Sequence, residues 1–276
     1  MYSGFVTTKH VIKRLGIHQR FDIAAYTMVG HYFAPGSFPA IKQILHFEGI
    51  NGPDGLKVKS PGQADPSHFY DPLHDKGELP IHIDGHYRGL VAALVERDMV
   101  RAAFEASWLA HYVVDGLTPA HHQLLEDEIA RICGGQVPLK GRVKYVASGD
   151  GKFDSLKKNW AIWGGKGIIS THHSFEVGIA VALIGRPGKT RLDDAKLARA
   201  RRLGLLPFFK EEARQTARLG VYERFREKGW TGEMAGIVKN QIAPQATQAV
   251  GIAWLLAYLE AGAQEVKQAS RVAAAS

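Results

Sequence analysis

The stretch ASWLAHYVVDGLTPAHH, residues 106–122, decides how the rest of the chain is read. Trp108, Leu109 and Tyr112 continue an apolar series that begins after Gly85 with Leu90, Leu94, Val95 and Phe104 at spacings of three and four. That period is helical, because residues one turn apart leave the same face of a helix. Residues from about Gly85 to Val114 are therefore expected as one long helix, or as two with a break near Asp98. His111 and Asp115 lie near its end, four residues apart, so their side chains share a face and can share a cation. Pro119 then interrupts the backbone. A turn there can bring His121 back toward the pair before a short helix from about Ala120 to Cys133.

Helical signals continue in both directions. Upstream, Phe38–Phe47 follows Ser37 and Pro39, a cap and a first-turn proline, and places Ile41, Ile44 and Leu45 on one face. Downstream, helices are expected at about Thr171–Ile184, Asp193–Leu203, Pro207–Lys228 and Pro244–Ala261, the last with Ala249, Ile252, Ala253, Leu256 and Leu259 as its buried stripe; the tail after Gly262 reads as a frayed extension. Residues 134–170 are rich in glycine and lysine and lack a helical period, so they read as a long irregular insertion with a short hairpin at Val143–Val146. The expected fold is all-α, a single-domain multi-helix bundle over residues 1–276.

Composition narrows the chemistry. A chain of 276 residues and 30.3 kDa, 45% hydrophobic and 22% charged, can bury one substantial core. Its single cysteine, Cys133, excludes an internal disulfide framework and a cysteine metal cage, so a metal site must use imidazole and carboxylate. Lys9, Lys13, Arg14, His18, Arg20 and Asp22 interrupt the first thirty residues, leaving no signal core; the chain is expected to be cytoplasmic as given, or secreted if a leader has been removed. The apolar runs Val177–Gly185 and Ala249–Leu259 fall short of the ~20 residues a membrane helix needs, so no transmembrane segment is expected. Of the net charge of +8, most sits between Arg186 and Lys228, where thirteen basic residues face six acidic ones. That stretch is either an anion-attracting face for nucleic acid or anionic lipid, or a solvated helical surface whose interspersed Asp193, Asp194, Glu211 and Glu212 pair with it; the second reading is preferred.

Thirteen histidines produce some four-residue spacings by chance. His172 and Glu176 nevertheless repeat the geometry of His111 and Asp115, and three further segments stand out: GIHQRFDIAA around His18, GINGPD ending on Asp54, and SHFYDP around His68. Taken together, these segments resemble the zinc-dependent phospholipase C and single-strand nuclease superfamily, an all-helical family with a three-zinc site. The family's helix reads histidine, three residues, aspartate, five residues, histidine, with proline two before the last; His111, Asp115, Pro119 and His121 reproduce it. SHFYDP is near-identical to the segment around the early histidine ligand of bacterial phospholipases C. Asp54 lies fourteen residues upstream of His68, as in those enzymes. The resemblance runs from residue 18 to residue 176.

The resemblance implies a metal site between helices holding two or three Zn2+ ions. Asp54, His68, His111 and Asp115 would hold the first, His121, His172 and Glu176 the second, and His18 with a shared Asp115 the third. It implies hydrolysis of a phosphodiester by metal-activated water, with Asp54 orienting the water or acting as base. No tryptophan precedes His18 to match the family's N-terminal metal ligand, so the site is expected to be two-metal or to be completed by another residue such as His10. Fifty residues intervene between His121 and His172, and His122 or His173 can replace its neighbour. The aromatic residues of the phospholipases' choline pocket are Gly55 and Asp65 here, so choline selectivity is not expected. In the nucleases, the residues matching Phe69 and Asp71 stack on and contact a base, which makes both candidate substrate contacts. A phospholipase C-like activity is expected first, a single-strand nuclease second, and a non-catalytic metal-scaffold binding protein third. The expected partners are phospholipid or single-stranded nucleic acid, with peripheral membrane contact. His74-Asp75 is a two-letter match to a metal phosphohydrolase motif, and no GxSxG, HExxH or phosphate-binding glycine loop is present.

Overall fold

A computed structural model describes residues 16–55, 68–123, 125–135, 146–183 and 190–275, and among them the regular structure is helical, with no strand. Helix α1 (Ile17–Val29) buries Phe21, Ala25 and Met28 at helical spacing, and the Gly16 amide at its start donates to the Gln19 side chain at 3.0 Å. Helix α2 (Ile41–His46) is shorter than its sequence suggests. Gln43 accepts from the Ala40 amide at 2.8 Å and so starts the helix there, while the Ser37 hydroxyl donates to the Ala34 carbonyl at 2.7 Å instead of capping.

The apolar series around residues 85–114 forms two helices, α3 (Leu79–Val95) and α4 (Met99–Gly116). The break lies at Asp98, as its position suggested. Its carboxylate accepts from the amides of Val100 and Arg101 at 3.1 and 2.9 Å and caps α4, while Arg97 turns the chain in the left-handed region at φ +58°. The two helices pack along their length. Gly89 permits the approach, since a Cβ there would stand 2.5 Å from the Glu105 carboxylate.

After α4, a 3-10 turn, Pro119–His122, leads to α5 (Leu125–Ile132), followed by α6 (Lys152–Trp163) and α7 (Ile168–Ala182). The region expected as an irregular insertion over 134–170 thus contains a helix and the start of another. Phe153, Leu156, Trp160 and Trp163 do keep a helical spacing, but their stripe is short and set among glycines and lysines; in the structure these four face outward while Ile162 faces inward. Of the hairpin expected at Val143–Val146, residues 143–145 lie outside the described residues, as do His10 and Asp65.

The chain continues through α8 (Asp194–Leu203), α9 (Leu205–Ala217), α10 (Val221–Lys228), α11 (Gly232–Ile237) and α12 (Ala243–Ala275). One helix expected over Pro207–Lys228 is two, because Gly220 adopts φ +58° between them. A π-helical turn, Val238–Ile242, joins α11 to α12, whose second residue is Pro244; proline cannot donate to the preceding turn, and the ladder shifts register there. The tail expected to fray extends α12 to Ala275.

One contiguous apolar core joins α1, α3, α4, α9 and α12. Trp254 of α12 is fully buried, and its Nε1–H donates to the Ala106 carbonyl at 2.9 Å. The span Gly232–Lys267 is long and apolar enough to cross a membrane, but 72% of its most apolar window is buried inside the protein. It is therefore core helix in this fold. Among the described residues, part of the basic stretch up to Lys228 is paired. Lys196 and Arg199 both meet the fully buried Glu212, Arg226 meets Glu128 at 3.1 Å, and Lys210 meets Asp75 at 2.7 Å.

Candidate metal centre

Helix α4 supplies the middle of the site. His111 and Asp115, one turn apart and fully buried, have His111 Nε2 and Asp115 Oδ2 at 3.2 Å. Three further imidazoles converge on the same carboxylate. His68 Nδ1 is 2.7 Å from Oδ2, while His18 Nε2 and His121 Nε2 are 3.3 and 3.7 Å from Oδ1. His18 comes from the first turn of α1 and stacks on the His111 ring at 3.8 Å. Asp54, less buried than the others, places Oδ1 3.9 Å from His111 Nε2.

On the other side of Asp115, α7 brings His172 and Glu176 to His121. The Nε2 atoms of His121 and His172 each lie 3.1 Å from Glu176 Oε1. Among the described residues, three groups could thus hold a metal ion, each with its ligand atoms within 4.8 Å of one another: Asp54, His68 and His111; His121, His172 and Glu176; and His18, His111 and Asp115. The fold therefore gathers His18, Asp54, His68, His111, Asp115, His121, His172 and Glu176 into one buried centre.

The neighbouring histidines turn elsewhere. His122 bonds the Gly116 carbonyl through Nε2 at 2.9 Å, and burial pushes its pKa down to about 4. His173 is largely exposed, its Nδ1 4.0 Å from Glu176 Oε2. Phe69 stacks across His121 with ring centroids 5.4 Å apart and forms a wall of the second group. Asp71 has no place in these groups. Its carboxylate accepts from the amides of Leu73 and His74 and bonds the His74 ring at 2.6 Å, closing its own surface turn. His74 is exposed, and Asp75 pairs with Lys210, so this dipeptide is part of a surface turn.

The donor geometry suits a cation. His111 Nδ1 lies 3.0 Å from Glu48 Oε1, a bond in which the nitrogen must donate, and this leaves the Nε2 lone pair facing Asp115 and Asp54. His121 is fixed likewise, with Nδ1 donating to the His68 carbonyl at 2.9 Å and Nε2 aimed at Glu176. Lone pair facing lone pair requires a proton or a metal between them. Without metal, a proton serves at His111: burial opposes its charge, but Glu48 and Asp115 outweigh burial and raise its pKa to about 10. At Asp115 burial is likewise outweighed, and the charges of His121 and His111 hold its carboxyl well below the ordinary range. Burial, reinforced by the charge of His111, pushes the pKa of His18 down.

Two functional candidates escaped the sequence reading. Glu48 is buried beside the 3-10 turn Gly49–Asn51, and nothing in its spacing announces it. Its carboxylate bonds His111 as an outer carboxylate does when it orients an imidazole for a metal. Glu48→Gln is expected to weaken metal binding about 10–100-fold, read by titrating zinc into chelator-stripped protein; an unchanged affinity would remove Glu48 from that role. Asp22 repeats the signal of the central helix, since His18-x3-Asp22 has the spacing of His111-x3-Asp115. It is fully buried, and neither carboxylate oxygen meets a hydrogen-bond donor among the described residues. Burial and the neighbouring charge of Glu48 push its pKa well above the ordinary carboxylate value.

Compared with models of protein families, with curated proteins and with solved structures, the chain matches none.

Proposed function

We propose that this chain is a zinc-dependent phosphodiester hydrolase of phospholipase C-like activity. The observation that carries the reading is Asp115, one buried carboxylate whose two oxygens face four imidazole nitrogens, with a second ligand group beside it. A carboxylate between adjacent cations lowers their repulsion. Imidazole and carboxylate in this ratio suit zinc, and the lone Cys133 belongs to a separate small apolar cluster. When bound, paired zinc ions supply water of lowered pKa and neutralise charge on the phosphoryl oxygens.

The chain's own groups have separable parts in this reading. Glu48 and the His68 carbonyl fix the tautomers of His111 and His121. Asp54, whose side chain keeps 15% of its exposure while Asp115 keeps none, stands on the solvent side and orients the attacking water or accepts its proton. Asp54→Asn is expected to lower turnover by about a hundredfold or more while the melting temperature of the loaded protein stays nearly constant; unchanged turnover would remove Asp54 from the reaction.

A single-strand nuclease is the second reading, favoured by the Phe69 ring at the second ligand group. Asp71, the other residue that reading uses, is engaged in its own turn, and this argues for lipid first. Metal analysis of protein purified without chelator tests the whole proposal. About two zinc ions per chain are expected, as in two-metal hydrolytic sites, and a substoichiometric content would leave a non-catalytic scaffold. Parallel assays on phosphatidylcholine, phosphatidylinositol and single-stranded DNA then separate the substrate classes.

A further inference from the structure

Helix α6 presents its apolar side to solvent. Phe153, Leu156, Trp160 and Trp163 are 90, 64, 70 and 41% exposed, at spacings that place all four on one face. The opposite side holds the helix to the protein: Ile162 is fully buried in a small cluster with Ile129 and Ala147, and Asn159 bonds both backbone groups of Ala147, at 3.0 and 2.8 Å. The outward stripe is therefore not a frayed core face, since the helix already has an anchored inner side. Gly164 lets the Trp160 ring lie over the helix end, because a Cβ there would stand 2.9 Å from the ring.

Charge flanks this stripe. Residues 152–166 carry Lys152, Lys157, Lys158 and Lys166 against the single acidic Asp154, which pairs with Lys158 at 2.7 Å. Lys152 and Lys157 border the stripe on its two edges, where long side chains can keep their ammonium groups in a headgroup layer while the rings enter below it. Tryptophan and phenylalanine on one face with lysine at its borders is the composition of a helix that lies in a membrane interface.

We infer that the exposed face of α6 is a docking surface for anionic phospholipid membrane. The stripe is a convex helix face with aliphatic Leu156 among its rings, which suits a lipid layer better than the groove in which single-stranded bases stack. Helix α6 packs against α7, which carries His172 and Glu176, and the four residues between them keep the surface close in sequence to the second ligand group. That the surface delivers substrate to the metal centre rests on the phosphodiesterase reading; the docking itself does not.

The test uses the full-length metal-loaded chain and sedimentation with phosphatidylcholine vesicles, with and without phosphatidylserine. The wild type should bind the anionic vesicles preferentially, with a blue shift of tryptophan emission. The double variant Phe153→Asp/Trp160→Asp should lose binding by about tenfold or more, and Lys152→Glu/Lys157→Glu should lose the preference for phosphatidylserine. Metal content and hydrolysis of a soluble phosphodiester should not change in either variant. Four outcomes overturn the inference: no binding to anionic vesicles, binding indifferent to both variants, a dimer that only Phe153→Asp/Trp160→Asp dissolves, or a loss confined to single-stranded DNA binding. Vesicle binding without any hydrolysis would sink the phosphodiesterase reading and leave the docking surface standing.

Discussion

Asp115→Ala is expected to reduce bound metal from about two ions per chain to below one and to lower turnover by roughly 10⁴-fold or more, the scale of removing a central catalytic group. The magnitude follows from position. The two oxygens of Asp115 lie 2.7 to 3.7 Å from nitrogens of His18, His68, His111 and His121, so its loss strips a donor from adjacent groups at once. His18, His68, His111 and His121 lose the one carboxylate that all four face, and cations placed on either side of it would repel each other less screened. The helix should survive the change, because alanine is a strong helix former and α4 is anchored by Leu109, Tyr112 and Val113 in the core. Circular dichroism separates loss of fold from loss of site, while metal analysis and phosphodiester turnover read the site itself. A variant that keeps both its metal and its activity would refute the central role of Asp115.

The parts of this centre that were legible in the sequence are those held by one helix. His111 with Asp115, and His172 with Glu176, announce themselves because four residues of α-helix set their side chains one turn apart whatever surrounds them. The same rule applied to His18 and Asp22 would have raised Asp22, whose carboxylate the resemblance gave no reason to consider. Glu48 is different in kind. It reaches His111 across sixty-three residues, from a turn whose local sequence serves only the turn, and tertiary packing alone gives it meaning. Only the family's spacing after Asp115 favoured His121 over His122. Backbone carbonyls sort them, since His68 orients one ring inward and Gly116 holds the other away.

The fold was read by the same logic and missed in the same places. The apolar period locates α4 and the Pro244–Ala261 portion of α12, but residues 105–116 and 246–257 are buried on every side rather than along one stripe, and Leu259, expected in that stripe, is 37% exposed. Helix α6 breaks that correspondence because its apolar stripe faces water, so hydrophobic pattern and burial disagree. The flanking glycines and lysines hid the helix in an apparently irregular insertion, and the disagreement between pattern and burial is the ground for assigning it a lipid surface.

Stripping the metal with a chelator is expected to lower the unfolding temperature by more than about 10 °C. A ligand that binds only the folded state at a thousand times its dissociation constant contributes about 4 kcal/mol, and each kcal/mol moves the midpoint of a chain this size by about 2–4 °C. Two such ions set a ceiling of roughly 15–30 °C, which residual binding by histidines of the unfolded chain reduces. The metal-free centre must neutralise its buried carboxylates with protons instead, and this gives the stripped protein its own pH signature. The folded-state pKa of His111 is raised from the ordinary 6.5 to about 10, so its contribution is fully present below 6.5 and is lost as pH rises through about 10. The loaded protein should lack this alkaline loss, because a cation occupies the place of the proton. Melting curves across that pH range, with and without chelator and after adding back zinc or magnesium, check both statements. Zinc should restore the midpoint and magnesium should not, since imidazole donors suit zinc and leave magnesium hydrated. Equal midpoints before and after stripping would mean that this cluster of histidines and carboxylates is stable by itself and that no metal completes it.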